Sequence, residues 1–262
     1  MIRSLYTAAT GMLAQQIQID TTSHNIANVN TIGYKKERAE FADLFYQAME
    51  YSGTATSSTT TSPTGIEVGL GVRPTAISKL FTQGNFKETG NNLDLSITGS
   101  GFFQIQLPDG NIAYTRNGAF KLDSNGTIVN SDGYKLIPEI TVPEDALAIA
   151  IGTDGTVSVK QAGSTELNQI GVIEIANFIN PAGLHSIGDN NLVPTSASGD
   201  PIVGTPGLNG LGQIRQGFVE MSNVQLVEEM TDLITGQRAY EANSKAITTS
   251  DEMLQTVNSL KR

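Results

Sequence analysis

From residue 221 to residue 262, apolar and small polar side chains recur at alternating spacings of four and three: Leu226, Met230, Leu233, Gln237, Tyr240, Ser244, Ile247, Asp251 and Leu254. That alternation places them along one seam of a single helix. Ser222 and Gln225 have the spacing of a capping box and predict the helix start. No proline follows Val224, and at a rise of about 1.5 Å per residue the helix would be roughly 55 Å long. Lys261 and Arg262 close it with the positive charge that a helix C-terminus favours. At the other end of the chain, residues 2–29 repeat the pattern through Leu5, Ala9, Met12, Gln16, Ile19, Ser23 and Ile26, with Gly33 just beyond as a stop. Two stripes at opposite termini predict that the helices pair as a coiled coil. The alternative is that each stripe packs on its own domain.

Both seams are imperfect. Gly11 and Gly236 lie mid-helix, each costing about 1 kcal/mol relative to alanine. Gln16, Ser23, Gln237, Ser244 and Asp251 put polar groups on the apolar edge. Polar seam residues fix register and partner at some loss of stability. The helices are therefore expected to be marginal alone and to become ordered within an assembly.

Between the helices the period changes. Residues 28–35 are dense in turn formers. Residues 39–49 return to apolar spacing through Phe41, Leu44, Phe45 and Ala48, as a short helix or an extended strap. Residues 52–64 are mostly serine and threonine with no period; they read as a flexible linker or as a segment that orders against neighbouring subunits. From Leu93 to Val159, short apolar runs are split by Asp109-Gly110, Asn117-Gly118, Asn125-Gly126, Asp132-Gly133 and Asp154-Gly155. These dipeptides supply the positive φ of tight turns and predict an antiparallel β meander. Its core would be Phe102, Ile105, Leu107, Tyr114, Phe120, Leu122, Ile128, Val129, Tyr134 and Leu136. Further strands are expected at 147–151, 156–159 and 171–178, with 183–212 as a loop. The fold class is α+β: paired terminal helices with an inserted, mostly antiparallel β domain.

Composition narrows the chemistry. A net charge of −10 and no basic patch argue against nucleic acid or an anionic membrane as partner. There is no cysteine, hence no disulfide, thiolate nucleophile or cysteine-bound metal. No apolar run of signal-peptide or membrane-spanning length occurs. The histidines, His24 and His185, stand outside any nucleophile or metal-ligand pattern. Asp123, Asn125 and Gly126 open like a calcium loop but lack its other ligands, so a hairpin turn is expected. Residues 207–212 carry the glycines of a phosphate loop without its lysine. Glu144-Asp145, Glu228-Glu229 and Asp251-Glu252 are sequence neighbours that point apart, as solvated faces do. No cofactor, metal or catalytic residue is assigned.

With these residues in view, the chain resembles the bacterial flagellar rod and hook proteins. Asn25-Ile-Ala-Asn28-Val-Asn30-Thr-Ile-Gly33-Tyr34-Lys35 matches the family's N-terminal signature. Gly99-Ser-Gly101-Phe102-Phe103 and Tyr114-Thr-Arg116-Asn-Gly118-Ala-Phe120 match its β region. Glu220-Met-Ser222-Asn223-Val224, Gln237-Arg238-Ala239-Tyr240-Glu241-Ala242-Asn243 and Asp251-Glu-Met253-Leu254 resemble its closing segment. Hook proteins are longer, with an outer β domain for which this chain has no room. Gly204-Thr-Pro206-Gly207-Leu-Asn209-Gly210 and Val72-Arg73-Pro74 are similar to the distal rod branch, as is the serine–threonine segment.

The resemblance implies a structural subunit rather than an enzyme. Residues 1–34 with 220–262 would be a discontinuous helical assembly domain, 35–80 a connecting segment and 81–219 a β domain. Leu5, Ala9, Met12, Gln16, Ile19, Ile26, Leu226, Met230, Leu233, Gln237, Tyr240, Ile247 and Leu254 would form the assembly interface. A rod-type loop over about 46–65, with Tyr46, Ser52, Thr54, Ser57, Thr60, Pro63 and Gly65, would keep the tube straight. Implied partners are further copies of the chain in a helical homopolymer, proximal rod proteins, the hook protein, the P-ring and L-ring bushing, a rod cap during assembly, and the flagellar type III export apparatus. The location implied is the basal body, with the rod crossing the periplasm to the outer membrane and no cleaved signal peptide. A proximal rod subunit is the alternative within the family. Outside it, the alternative is a secreted carbohydrate-binding or carbohydrate-cleaving β protein, which would need an aromatic face or paired carboxylates in a cleft.

Overall fold

The computed structural model describes residues 2–54, 62–161 and 167–260. It divides into two compact units, one of Met1–Ala27, Glu37–Ser78 and Gln225–Arg262, the other of Asn28–Lys36 and Lys79–Val224.

The first unit holds α1 (Ile2–Ala27), β1 (Glu37–Asp43), β2 (Tyr46–Glu50), β3 (Ile66–Gly69), β4 (Val72–Lys79) and α2 (Leu226–Ser259). α1 packs along α2. At 34 residues, α2 is about 51 Å long. It starts later than the capping box predicts. Gln225 occupies the N-cap without a side-chain bond, because the Ser222 hydroxyl accepts instead from the Val224 N–H at 3.2 Å, a local turn that competes with helix. Gly33 is not the stop of α1 either. The helix ends at Ala27, and a turn closed by Thr31 N–H to Asn28 O at 3.1 Å follows. Residues 39–49 are extended, in β1 and β2. β1 pairs with β4, and β2 pairs with β3 in register Tyr46↔Gly69, Gln47↔Val68. Beyond β2 the arm continues: Gly53 N–H donates to Ser62 O at 2.9 Å and Ser62 N–H to Thr54 O at 2.8 Å. Residues 55–61 of the expected linker lie outside the described residues.

The second unit is built of β5 (Phe86–Glu88), β6 (Leu95–Thr98), β7 (Phe102–Gln106), β8 (Ile112–Thr115), β9 (Lys121–Leu122), β10 (Ile128–Val129), β11 (Lys135–Ile137), β12 (Ala146–Ile151), β13 (Thr156–Gln161), β14 (Leu167–Val172), β15 (Ile175–Asn177), β16 (His185–Gly188), β17 (Asn191–Val193), β18 (Ile202–Gly204), β19 (Gln213–Gln216) and β20 (Phe218–Glu220). Its main sheet runs β16-β17-β8-β7-β11-β10-β9, with β15 and β18 continuing from the same edge of β7 as β11. β12, β13 and β14 form a separate antiparallel sheet, and β6–β19 and β5–β20 are two-stranded pairs.

β7 is covered on both faces, which is why Phe102-Phe103-Gln104-Ile105 reads as a buried run instead of alternating. Phe103 and Ile105 enter the larger apolar cluster with Leu95, Phe120, Leu136 and Val157. Phe102 enters a second cluster with Tyr114 and Phe178, whose rings meet edge to face at 4.8–5.9 Å. Of the expected core, Leu122 lies exposed at the sheet edge on β9, while Leu107 and Tyr134 are partly buried against the larger cluster.

Four of the five expected turns share one geometry. In residues 107–111, 123–127, 130–134 and 152–156, a glycine at φ 75–85° donates back to the residue three before it, and the outer pair closes the loop. This is a type I turn with a glycine bulge. Asn117-Gly118 is the exception: a Cβ on Gly118 would stand 1.7 Å from Leu95 O, so the glycine serves a close strand approach. The expected strand 171–178 breaks at Ile173 and Glu174 into β14 and β15, which join different sheets. The expected loop 183–212 contains β16, β17 and β18. Asp189 and Asn190, both at positive φ (51° and 58°), turn β16 onto β17.

Candidate assembly interface

Four contacts fix how the terminal helices meet. Ser4 Oγ lies 3.2 Å from Ser250 Oγ, and the Cα of Gly11 faces the Asn243 amide. Gly236 faces Ile19 and Gln15, and the Asn25 amide donates to Glu229 Oε2 at 3.1 Å. Each step of about seven residues along α1 is answered by seven residues back along α2. The pair is antiparallel, in one heptad register. Asn25 also bonds both backbone groups of Glu37, donating to its O at 2.8 Å and accepting from its N–H at 2.9 Å. One amide thereby ties α1 to β1 and α2.

This ladder lies one position before the seam read from the sequence. Ala8, Thr22, Asn25, Glu229, Gly236 and Ser250 are buried. Leu5, Met12, Ile19, Ile26, Leu233, Ile247 and Leu254 flank it, half-buried. Ala9, Gln16, Leu226, Met230, Gln237 and Tyr240 are exposed. Small residues occupy the contact because they allow the closest backbone approach, which moves the larger apolar residues outward. Val227, Met230 and Ile234, at helical spacing, are 79%, 51% and 56% exposed. Tyr6 and Leu13, seven apart on α1, are exposed as well.

The N-terminal signature divides between two places. Asn25 serves the helix pair. Asn28 accepts from the Thr31 hydroxyl at 3.0 Å, and Asn30 is exposed. Gly33, Tyr34 and Lys35 are buried in the β unit. There the Glu220 carboxylate accepts from Lys35 Nζ at 2.6 Å, from Gly84 N–H at 2.9 Å and from Arg116 Nη1 at 3.0 Å. All three charged side chains are at least 94% buried. Burial pushes the Lys35 ammonium below its ordinary pKa, against the pull of Glu220, and it lowers Arg116 in the same way. Gly33, at φ +71°, stands against the Arg116–Asn117 backbone, where a Cβ would fall within 2.6 Å. Asn223 completes the site, accepting from Lys36 N–H at 2.7 Å and donating to Leu80 O at 2.8 Å.

Sequence reasoning did not single out Arg116, Glu220 or Asn223 as site residues. The available signal was a lone acid between Val219 and Met221, opposite in sign to Lys35. Of the C-terminal signature, Arg238 pairs with Glu241 at 3.1 Å on the surface, Ala239 is half-buried and Asn243 meets Gly11.

Of the loop residues, the Tyr46 hydroxyl donates to Asp43 at 2.9 Å, which raises its pKa. Thr54 bonds back to Tyr51 O. Ser52, Pro63 and Gly65 are exposed, and Ser57 and Thr60 lie outside the described residues. Phe45, Met49, Tyr51 and Ile66 on this arm are largely exposed. Among the described residues, no group of three or more His, Cys, Asp or Glu could hold a metal ion.

A helix pair joined through small and polar residues, with Tyr6, Leu13, Val227, Met230 and Ile234 turned outward, defines a subunit made to join other subunits. Comparison with known proteins says which kind. Residues 5–35 match the family model "Flagella basal body rod protein", 96–159 "Flagellar hook protein FlgE/F/G D1 domain" and 215–260 "Flagellar basal body rod FlgEFG protein C-terminal". The chain is 51% identical to the flagellar basal-body rod protein FlgG of Buchnera aphidicola subsp. Schizaphis graminum, over 99% of this chain and 100% of that one. It is 51% identical to the protein of the same name in Borreliella burgdorferi, over the whole of both chains. It is 31% identical to the flagellar hook-basal body complex protein FlhP of Bacillus subtilis, again over both full lengths. The chain belongs to the family of flagellar basal-body rod and hook proteins.

Proposed function

We propose that the chain is the structural subunit of the flagellar distal rod, a rigid helical tube that carries motor torque to the hook and encloses the export channel. The observation that carries this is the outward placement of Leu226, Val227, Met230 and Ile234 on a helix already paired with α1. The division of labour is 1–34 with 220–262 for assembly, 35–80 as connector and 81–219 as β domain, with 28–34 and 220–224 of the assembly part folded into the β unit. Heterologous contacts that do not close extend into a filament. Burying apolar area against neighbours stabilises it by about 25 cal/mol per Å², offset by the entropy of ordering.

The distal position rests on the likeness of residues 72–74 and 204–210 and of the serine–threonine arm to that branch of the family. The partners are the chain itself, proximal rod proteins, the hook protein, the rod cap and the P-ring and L-ring bushing. Export runs through the flagellar type III apparatus, and the rod crosses the periplasm. The role is mechanical, with no reaction to catalyse. Among the described residues, no helix is long and apolar enough to cross a membrane.

Met230→Asp tests the reading. Its site is half exposed in the monomer, so the monomer's unfolding curve should stay within about 0.5 kcal/mol of wild type, while rods fail to form. A folded M230D chain that polymerises normally would refute the assignment of this face.

A further inference from the structure

We infer that residues 33–36 and 219–223 form a strap that opens as one unit while the β core stays folded, with Glu220 as its clasp. The strap joins two segments 185 residues apart in the chain through mostly polar contacts. Gly33 N–H donates to Glu220 O at 2.8 Å, Met221 N–H to Asn85 O at 2.8 Å, and Lys36 N–H to the Asn223 side chain at 2.7 Å. Tyr34 and Val219 are buried, yet neither belongs to the apolar clusters that hold the sheets together. β20 pairs with β5 in a two-stranded sheet, outside the main sheet.

The clasp is electrostatically uneven. Two cations share one carboxylate, and Arg116 Nε is buried without a partner among the described residues. A buried ion cluster of this kind contributes little net stability, because desolvation offsets the attraction, but its geometry is specific. Arg116 is anchored on the core side, with Nη1 donating to Ile97 O at 3.2 Å, Nη2 to Gly99 O at 2.5 Å and the guanidinium over Phe102. Opening the strap therefore removes Lys35 and Glu220 from Arg116, hydrates all three and undoes the β5–β20 pair, while the main sheet stays in place. Sub-global opening of this sort is the usual property of segments with few buried apolar contacts.

For a chain exported unfolded, the strap defines a late closure within the β unit. Residue 220 must reach residue 35 across the whole β unit, and a contact of such sequence separation forms late. Only this purpose rests on the rod-subunit reading, which polymerisation tests; the opening itself is measured on the monomer.

The experiment is native-state hydrogen exchange on the full-length monomer. The amides of Gly33, Lys36, Gly84 and Met221 should exchange together and ahead of those in β7, β8 and β11. Glu220→Gln should speed the strap amides by about ten- to a hundredfold, the loss of one charged buried contact, and leave the core amides unchanged. Asn223→Ala, which removes no charge, should move the same set by a smaller factor. Exchange of strap and core amides at one common rate overturns the inference. So does a loss of core protection in either variant.

Discussion

Gly236→Leu is the sharpest test of the helix register, because Gly236→Ala supplies its own control. A Cβ at Gly236 would lie 3.2 Å from Ile19 Cγ1 and 3.8 Å from the Gln15 amide oxygen. Ile19 is half-buried and can turn aside, and alanine gains about 1 kcal/mol of helix propensity over glycine. The alanine variant should thus equal or slightly exceed wild type. Leucine adds three further carbons with no space between the helices. Interaxial distances of about 8–10 Å are set by the side chains at the contact, so the helices must separate. Separation strains the Ser4–Ser250 and Asn25–Glu229 bonds. Each is worth about 1 kcal/mol, and a buried acceptor losing its donor costs about 1–3 kcal/mol. The sum is about 3–5 kcal/mol, or a fall in Tm of roughly 13–22 °C for a unit of this size. Far-UV circular dichroism during thermal unfolding reads it directly. If leucine is tolerated as well as alanine, the helices do not approach at Gly236 and the ladder is wrong.

Two other outcomes can be measured. The Gln216 side chain closes part of the edge of β12, accepting from Ile151 N–H at 3.1 Å and donating to Ile149 O at 3.0 Å. Gln216→Leu should cost about 1–3 kcal/mol in urea unfolding and raise light scattering by baring an apolar edge strand; unchanged stability would show that the amide is dispensable. Deleting residues 52–64 should let rods form but bend, as seen by electron microscopy of isolated basal bodies. Rods as straight as wild type would remove the straightening role from this arm.

The sequence by itself determined a good deal. The alternation of four and three from Leu226 to Leu254 and from Leu5 to Ile26 announces two helices, since only a helix aligns that spacing. Four Asp-Gly or Asn-Gly pairs mark real hairpins because glycine alone enters their positive φ without strain. Phe102 to Leu136 read correctly as core for the most part. The tertiary structure decided the rest. Which face of α1 meets α2 was settled by how closely two backbones can approach at Gly11 and Gly236, a steric property of the pair that hydrophobicity does not encode. It therefore turned Val227, Met230 and Ile234 away from the contact. β16 to β18 were hidden because short strands in polar, glycine-rich sequence gain their order from neighbours such as β8 and β15. Glu220 was hidden for the same reason. Its worth depends on Lys35, Gly84 and Arg116, which the chain brings together from three distant places, and a buried charge is stable only beside the partners that folding supplies.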